Sequence, residues 1–162
     1  MAEKYHVHVS LHQQLLSLFC ESRLIKQYPV STSARGAGNL QESYQTPLGL
    51  HQIQEKIGGD CKAYEVFIGR QPQGNFYALK DSDKTLPEDV ITSRILWLAG
   101  LEPGINQGGD VDTYQRYIYI HGTVDEDKIG QPVSHGCIRM LNKDVIELYD
   151  QLEVGCHVRI EE

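Results

Sequence analysis

Apolar and polar residues alternate through much of this chain, the mark of strands with one buried face. Tyr5-His6-Val7-His8-Val9 alternates, and Gln13 to Phe19 continues the apolar character, which predicts strands over 5–9 and 13–19 joined near Ser10–Gln13. Leu11, Leu15 and Leu18 also fit helical spacing, so a helix over 11–19 competes there. Residues 22–31 read as a third strand, with Leu24 and Ile25 apolar and Pro29 at its exit. Residues 50–57 fit strand or helix by pattern alone, and short strands are expected at 62–69 and 75–79 around the loop 70–74. The run Thr-Ser-Arg-Ile-Leu-Trp-Leu at 92–98 is dense enough for a buried strand. A helix starting near Pro87 competes with it, because Ile91, Ile95 and Leu98 are helically spaced. In Tyr-Ile-Tyr-Ile-His at 117–121, alternation puts Tyr117, Tyr119 and His121 on one face and Ile118 and Ile120 on the other. One helix is clear, over 143–153. Val145, Leu148, Tyr149 and Leu152 mark its apolar face, Asn142 suits the N-cap, Asp144 the first turn and Gly155 the exit.

Polar stretches separate these elements. Residues 33–49 form a Ser/Gly/Asn/Gln-rich surface loop ending in the Pro47/Gly49 turn, Gly58-Gly59-Asp60 is a turn, and 81–84 is solvated. The glycine-rich segment 100–113 reads either as a flexible cover for a cleft or as a plain connection. Its Gly108-Gly109 pair is not a phosphate loop, since no lysine follows. The sum is mainly β: a β-sandwich or open barrel with one C-terminal helix packed behind the turn at Cys137, in a single domain over 1–162.

Charge narrows the partners. Fifteen basic against 22 acidic side chains give a net charge of −7, which argues against nucleic acid and against a basic membrane-surface patch. No run approaches a membrane span. The opening residues lack the apolar core and cleavage site of a signal peptide, which predicts a cytoplasmic chain; the periplasm is the expectation for a trimmed one. Cys20, Cys61, Cys137 and Cys156 show neither C-x-x-C spacing nor a disulfide framework, and unbridged thiols fit a reducing compartment.

The candidate chemistry lies at 117–140. His121 ends an apolar run, and Cys137 follows Gly136 in a tight turn sixteen positions later. A thiol titrates near ~8.5 and attacks as thiolate, so an imidazole beside it makes a nucleophile. Gly136 permits a sharp turn in which the N–H groups of Gly136, Cys137 and Ile138 form an oxyanion site. Taken singly, either residue has an ordinary structural reading: Cys137 as a small buried hydrophobe, His121 as a satisfied core histidine.

Together, His121-Gly122-Thr123 followed by Ser134-His135-Gly136-Cys137-Ile138-Arg139-Met140 resembles the signature of the YkuD-type L,D-transpeptidase catalytic domain. Tyr28-Pro29-Val30-Ser31-Thr32-Ser33, Thr46-Pro47-Leu48-Gly49 and the closing Gly155 to Ile160 resemble further family segments, so the likeness spans roughly residues 5–160 and favours strand over helix at 50–57. The resemblance implies Cys137 as nucleophile, His121 as general base, the Gly122 carbonyl as the third member, and His135 as a residue that lines the site and holds the turn. Ser134 orients His135 or supports the oxyanion site. Tyr119 shares the His121 face toward substrate, and Arg139 reads either as a clamp for a substrate carboxylate or as a surface salt bridge. The implied substrates are peptidoglycan stem peptides or muropeptides, opened between diaminopimelate and a terminal D-alanine through a thioester. Water then gives carboxypeptidase action, and a free D-amino acid gives exchange. A wall cross-linking enzyme exported by another route is the alternative. No cofactor is implied. Two other classes compete: a zinc site on His121, His135 and Cys137, and a non-catalytic wall-peptide binder. His6, His8, His12, His51, His157 and Cys156 have no motif around them and read as structural.

Overall fold

Strand alternation near the N-terminus becomes a meander of β1 (Tyr5–Ser10), β2 (Leu15–Cys20) and β3 (Arg23–Ser31), paired antiparallel in that order. The computed structural model describes residues 4–162. β2 begins at Leu15 rather than at residue 13, because Gln14 sits at φ 51, outside the extended range. The buried Gln14 amide bonds Leu11 O and the Thr32 hydroxyl and accepts the Thr32 N–H, so the turn serves the interior.

β4 (Gly49–Ile57) is a strand, as expected. β5 (Glu65–Ile68) and β6 (Gln71–Asn75) form a hairpin, and a short helix α1 (Phe76–Lys80) follows where 75–79 reads as strand. Asn75 decides this: its side chain accepts the Tyr77 N–H at 2.9 Å and caps the helix. β7 (Ile91–Gly100) settles the competition at 92–98 in favour of a strand. Thr92 to Leu98 are all buried, and burial on both faces explains why the run carries no period of two. β8 (Tyr119–Thr123), β9 (Ile138–Met140), α2 (Asn142–Gln151) and β10 (His157–Glu161) complete the chain.

Pairing runs β4-β10-β1-β2-β3-β9-β8-β7, and β7 also pairs with β4. The mainly β architecture stands, but the ring of eight strands is closed rather than open. The β5/β6 hairpin branches from the first part of β7. Among the strands of the described residues, β1/β10 and β8/β9 are the parallel pairs.

One core fills the ring. Ile118, Ile120, Ile138 and Met140 point into it with Val30, Ile53, Leu96 and Leu98. α2 adds Val145 and Leu148, and its C-cap Leu152 follows, each fully buried at about 1.5–3 kcal/mol. That packing holds the helix, for its N-cap is Leu141, which makes no side-chain cap bond. Asn142, expected as the cap, is the first helical residue instead. Its buried side chain accepts from Thr92 and Ser93 hydroxyls at 2.6 Å each and donates to Thr123 O at 2.8 Å, stitching α2 to β7 and β8.

The segment 100–113 is a connection fastened to β4. Glu102 accepts the Leu50 N–H, and the fully buried Asn106 donates to Leu48 O and Leu50 O. His51 is fastened to the same segment. Its Nδ1 donates to Gly49 O at 3.0 Å and its Nε2 accepts the Thr113 hydroxyl at 2.9 Å. Burial first of all pushes its pKa down to about 4. Between the ordinary 6.5 and about 4 the unfolded chain therefore binds more protons, and stability falls as pH drops through that window. The total is on the order of 3 kcal/mol. Urea denaturation across pH 4–7 is expected to show wild type losing stability more steeply than His51→Gln. Parallel curves would contradict the assignment.

Candidate active site

Parallel pairing of β8 with β9 is what joins two segments sixteen residues apart. The register sets Ile120 beside Ile138 and His121 beside Arg139, so Cys137 falls next to Tyr119. Ile120 and Ile138 point into the core, and alternation sends Tyr119, His121, Cys137 and Arg139 to the opposite face. Tyr117 keeps company with Tyr119 against Trp97 without being part of the strand. It lies before β8 at φ 57, and its ring is half exposed.

The thiol is partly buried and has two backbone partners. The Tyr119 N–H donates to Sγ at 3.3 Å, and Sγ donates to Tyr117 O at 3.4 Å. Burial pushes the Cys137 thiol up to about 12; the Tyr119 N–H opposes the rise, as do Arg139 and Arg116. The thiol form is therefore favoured at neutral pH.

A buried imidazole lies on the same face of the β8/β9 pair. His121 is fully buried, and its Nδ1 lies 2.6 Å from Gly122 O. A carbonyl only accepts, so Nδ1 carries the proton and Nε2 holds the lone pair. Nε2 is buried and has no hydrogen-bond partner among the described residues. Burial holds the imidazole below its ordinary range, while Asp89 and the Gly122 carbonyl pull the other way. Gly122 is needed for close approach as well. A Cβ there would lie 2.5 Å from Thr92 O and 2.6 Å from Asn142 Oδ1.

Ser134 and Thr46 hold the turn that carries Cys137. Ser134 Oγ donates to Cys137 O at 2.6 Å and accepts the Gly136 N–H at 3.2 Å, and Thr46 Oγ1 donates to Gly136 O at 3.0 Å. Gly136 takes φ 131, a conformation that favours glycine. Its N–H is spent on Ser134, so the oxyanion site expected from three amides keeps at most those of Cys137 and Ile138. His135 does not brace the turn. It is exposed, with Nδ1 3.8 Å from Asp89 Oδ2, beside a cavity of about 260 Å³ lined by Ala34, Arg35, Tyr44, Ser134 and His135.

Residues 4–160 match the family model described as YkuD, L,D-transpeptidase catalytic domain. The chain belongs to the L,D-transpeptidase catalytic domain family. It is 29% identical over 159 residues to the YkuD protein of Bacillus subtilis strain 168, assigned to the L,D-transpeptidases. That match covers 96% of this chain and 65% of the relative. A second YkuD, from Bacillus licheniformis, is 28% identical with the same coverage. The chain thus spans just under two thirds of the length of these curated relatives. Among solved structures, L,D-transpeptidase 3 from Mycobacterium tuberculosis, in complex with a faropenem-derived adduct, superposes with a TM-score of 0.60 at 14% identity. The superposition covers 99% of this chain and 61% of that one. An L,D-transpeptidase from Mycobacterium smegmatis gives 0.59 at 16% identity, covering 99% and 60%. At these identities the likeness establishes the fold.

Three residues of this L,D-transpeptidase domain carry no signal in the sequence. Asp89, in the unpatterned stretch before β7, lies 2.9 Å from Arg139 Nη2, and its charge bears on both His121 and Cys137. Arg139 is therefore neither the open carboxylate clamp nor the surface salt bridge expected. It is 5% exposed and already paired. Arg116 spends its guanidinium on Gly38 O, Ser43 Oγ and Gln45 O, fastening the 38–45 loop beside the turn. Arg70 bonds the Tyr119 hydroxyl.

The Asp89–Arg139 pair makes an asymmetric prediction. Asp89→Ala strands a buried guanidinium, whereas Arg139→Met leaves a carboxylate that keeps solvent. Asp89→Ala is expected to cost on the order of 3 kcal/mol in denaturant titration, and Arg139→Met clearly less. Equal losses would show that burial of the charge is not what matters.

Proposed function

We propose that this chain is a cysteine acyltransferase acting on peptidoglycan stem peptides, with Cys137 as nucleophile and His121 as base. The observation that carries the reading is the buried, unpartnered Nε2 of His121, its tautomer fixed by Gly122, on the face that bears the thiol. In this reading Sγ attacks the carbonyl carbon of the bond before a terminal D-alanine while His121 Nε2 takes the thiol proton. The C–N bond breaks, the leaving amine receives that proton, and a thioester remains on Cys137. The Cys137 N–H faces the developing oxyanion. The faropenem-derived adduct on the mycobacterial relative supports covalent capture as the chemistry of this fold.

The acceptor we assign is water or the amine of a free D-amino acid. The expectation of a reducing compartment with soluble muropeptides favours this over wall cross-linking. Incubation with a disaccharide tetrapeptide, with and without an added D-amino acid, tests it by mass spectrometry of the products. Trimming to tripeptide and exchange of the terminal D-alanine are expected, with little dimer. Efficient dimer formation without added D-amino acid would identify a cross-linking enzyme, and no product of any kind would favour a binding module.

A further inference from the structure

Arg139 is committed to Asp89 and Arg116 to loop oxygens, so neither stands open to a substrate carboxylate. Arg70 does. It leaves the turn between β5 and β6 and lays its guanidinium over two rings, 4.9 Å from the centroid of Trp97 and 5.3 Å from that of Tyr117. Arg70 Nη1 donates to the Tyr119 hydroxyl at 3.1 Å. The shelf beneath is rigid. Tyr114 stacks on Trp97 at 4.2 Å, Trp97 Nε1 donates to Tyr114 O, and Tyr119 meets Trp97 edge-on. Its outer edge is open, since Tyr117 is 53% exposed.

This shelf belongs to the thiol. Cys137 packs in the same cluster as Trp97 and Tyr119, and the backbone N–H of Tyr119 is the donor to Sγ. Arg70 therefore stands one tyrosine from the nucleophile. A guanidinium has five N–H donors, and among the described residues Arg70 spends one, on Tyr119, with no ion pair. Glu55, the one carboxylate whose field bears on it, is engaged by the Tyr114 hydroxyl. A planar cation stacked on aromatic rings, its remaining donors unspent, is pre-organised for bidentate binding of a carboxylate.

Resting on the acyl-transfer reading above, we propose that Arg70 on the Trp97/Tyr117 shelf is a carboxylate subsite that fixes the peptide substrate against Cys137. Two carboxylates of a stem peptide fit this chemistry: that of the terminal residue, and that on the side chain of the residue whose carbonyl is attacked.

Three peptides test it: the free acid, the C-terminal amide and the side-chain amide. For wild type, Arg70→Ala and Arg70→Lys, KM and kcat for opening each peptide are measured, with alkylation of Cys137 by neutral iodoacetamide as a control. Arg70→Ala is expected to raise KM for the free acid about 10-fold or more, with kcat nearly unchanged. Arg70→Lys should recover part of the loss, and alkylation should not change. On one of the two amides wild type and Arg70→Ala should be alike, and that amide identifies the bound carboxylate. An equal loss on all three peptides, or an unchanged KM for the free acid, would overturn the subsite while leaving the acyl-transfer reading intact. If wild type opens none of the three, the acyl-transfer reading falls and the subsite with it.

Discussion

Cys137→Ala is expected to abolish covalent capture of a carbapenem, while Cys20→Ala, Cys61→Ala and Cys156→Ala keep it. The effect is all or none in intact-protein mass, and ~10⁴-fold or more in the rate of peptide opening. The reason is the surroundings of the sulfur. Cys137 alone sits on the β8/β9 face with a buried imidazole and receives a backbone N–H from the adjacent strand. Cys156 accepts the Glu153 N–H at the end of the loop after α2, away from any such pairing among the described residues. A carbapenem mass on one of these three in preference to Cys137 would move the nucleophile.

His121→Gln is expected to slow acylation by ~10²–10⁴-fold, the range of a positioned general base. The pH profile separates this from a structural loss. Protonated His121 cannot accept the thiol proton, so the wild-type rate falls on the acid side. Because burial lowers the imidazole pKa, that fall lies below the ordinary histidine range. Asp89 raises it, so Asp89→Asn should move the acid limb to still lower pH. In His121→Gln the limb should vanish. His135, exposed and 3.8 Å from Asp89, should matter less. A larger rate loss in His135→Gln than in His121→Gln, at equal thermal stability, would reverse the roles.

How much of this the sequence discloses depends on whether the cause is local. The alternation at 118–121 separates the core residues Ile118 and Ile120 from Tyr119 and His121, and the structure keeps that division. The Gly136 turn is legible because φ 131 is a demand on one residue. What fails is whatever depends on distant partners. Arg139 looks like a surface cation two residues past the nucleophile, but its fate is set by Asp89, fifty positions earlier in a stretch without pattern. Asn142 has the composition of an N-cap, yet three buried bonds to β7 and β8 outweigh the one bond that capping offers. Arg70 carries no motif at all. Its meaning comes from Trp97 on β7 and from Tyr117 and Tyr119 in the run that enters β8, two segments distant from it in the chain. The glycine-rich loop at 100–113 fits a flexible cover and a plain connection alike, because only the fold reveals that Asn106 and Glu102 tie it to β4.

The central claim is that the peptide passes through a thioester on Cys137. Rapid acid quench of a reaction with a tetrapeptide substrate, followed by proteolysis and mass mapping, tests it most directly. The expected result is a single acyl adduct with the mass of the tripeptide on the fragment bearing Cys137, removed by hydroxylamine and absent from Cys137→Ala. An adduct on any other residue, or continued opening of the tetrapeptide by Cys137→Ala, would contradict it.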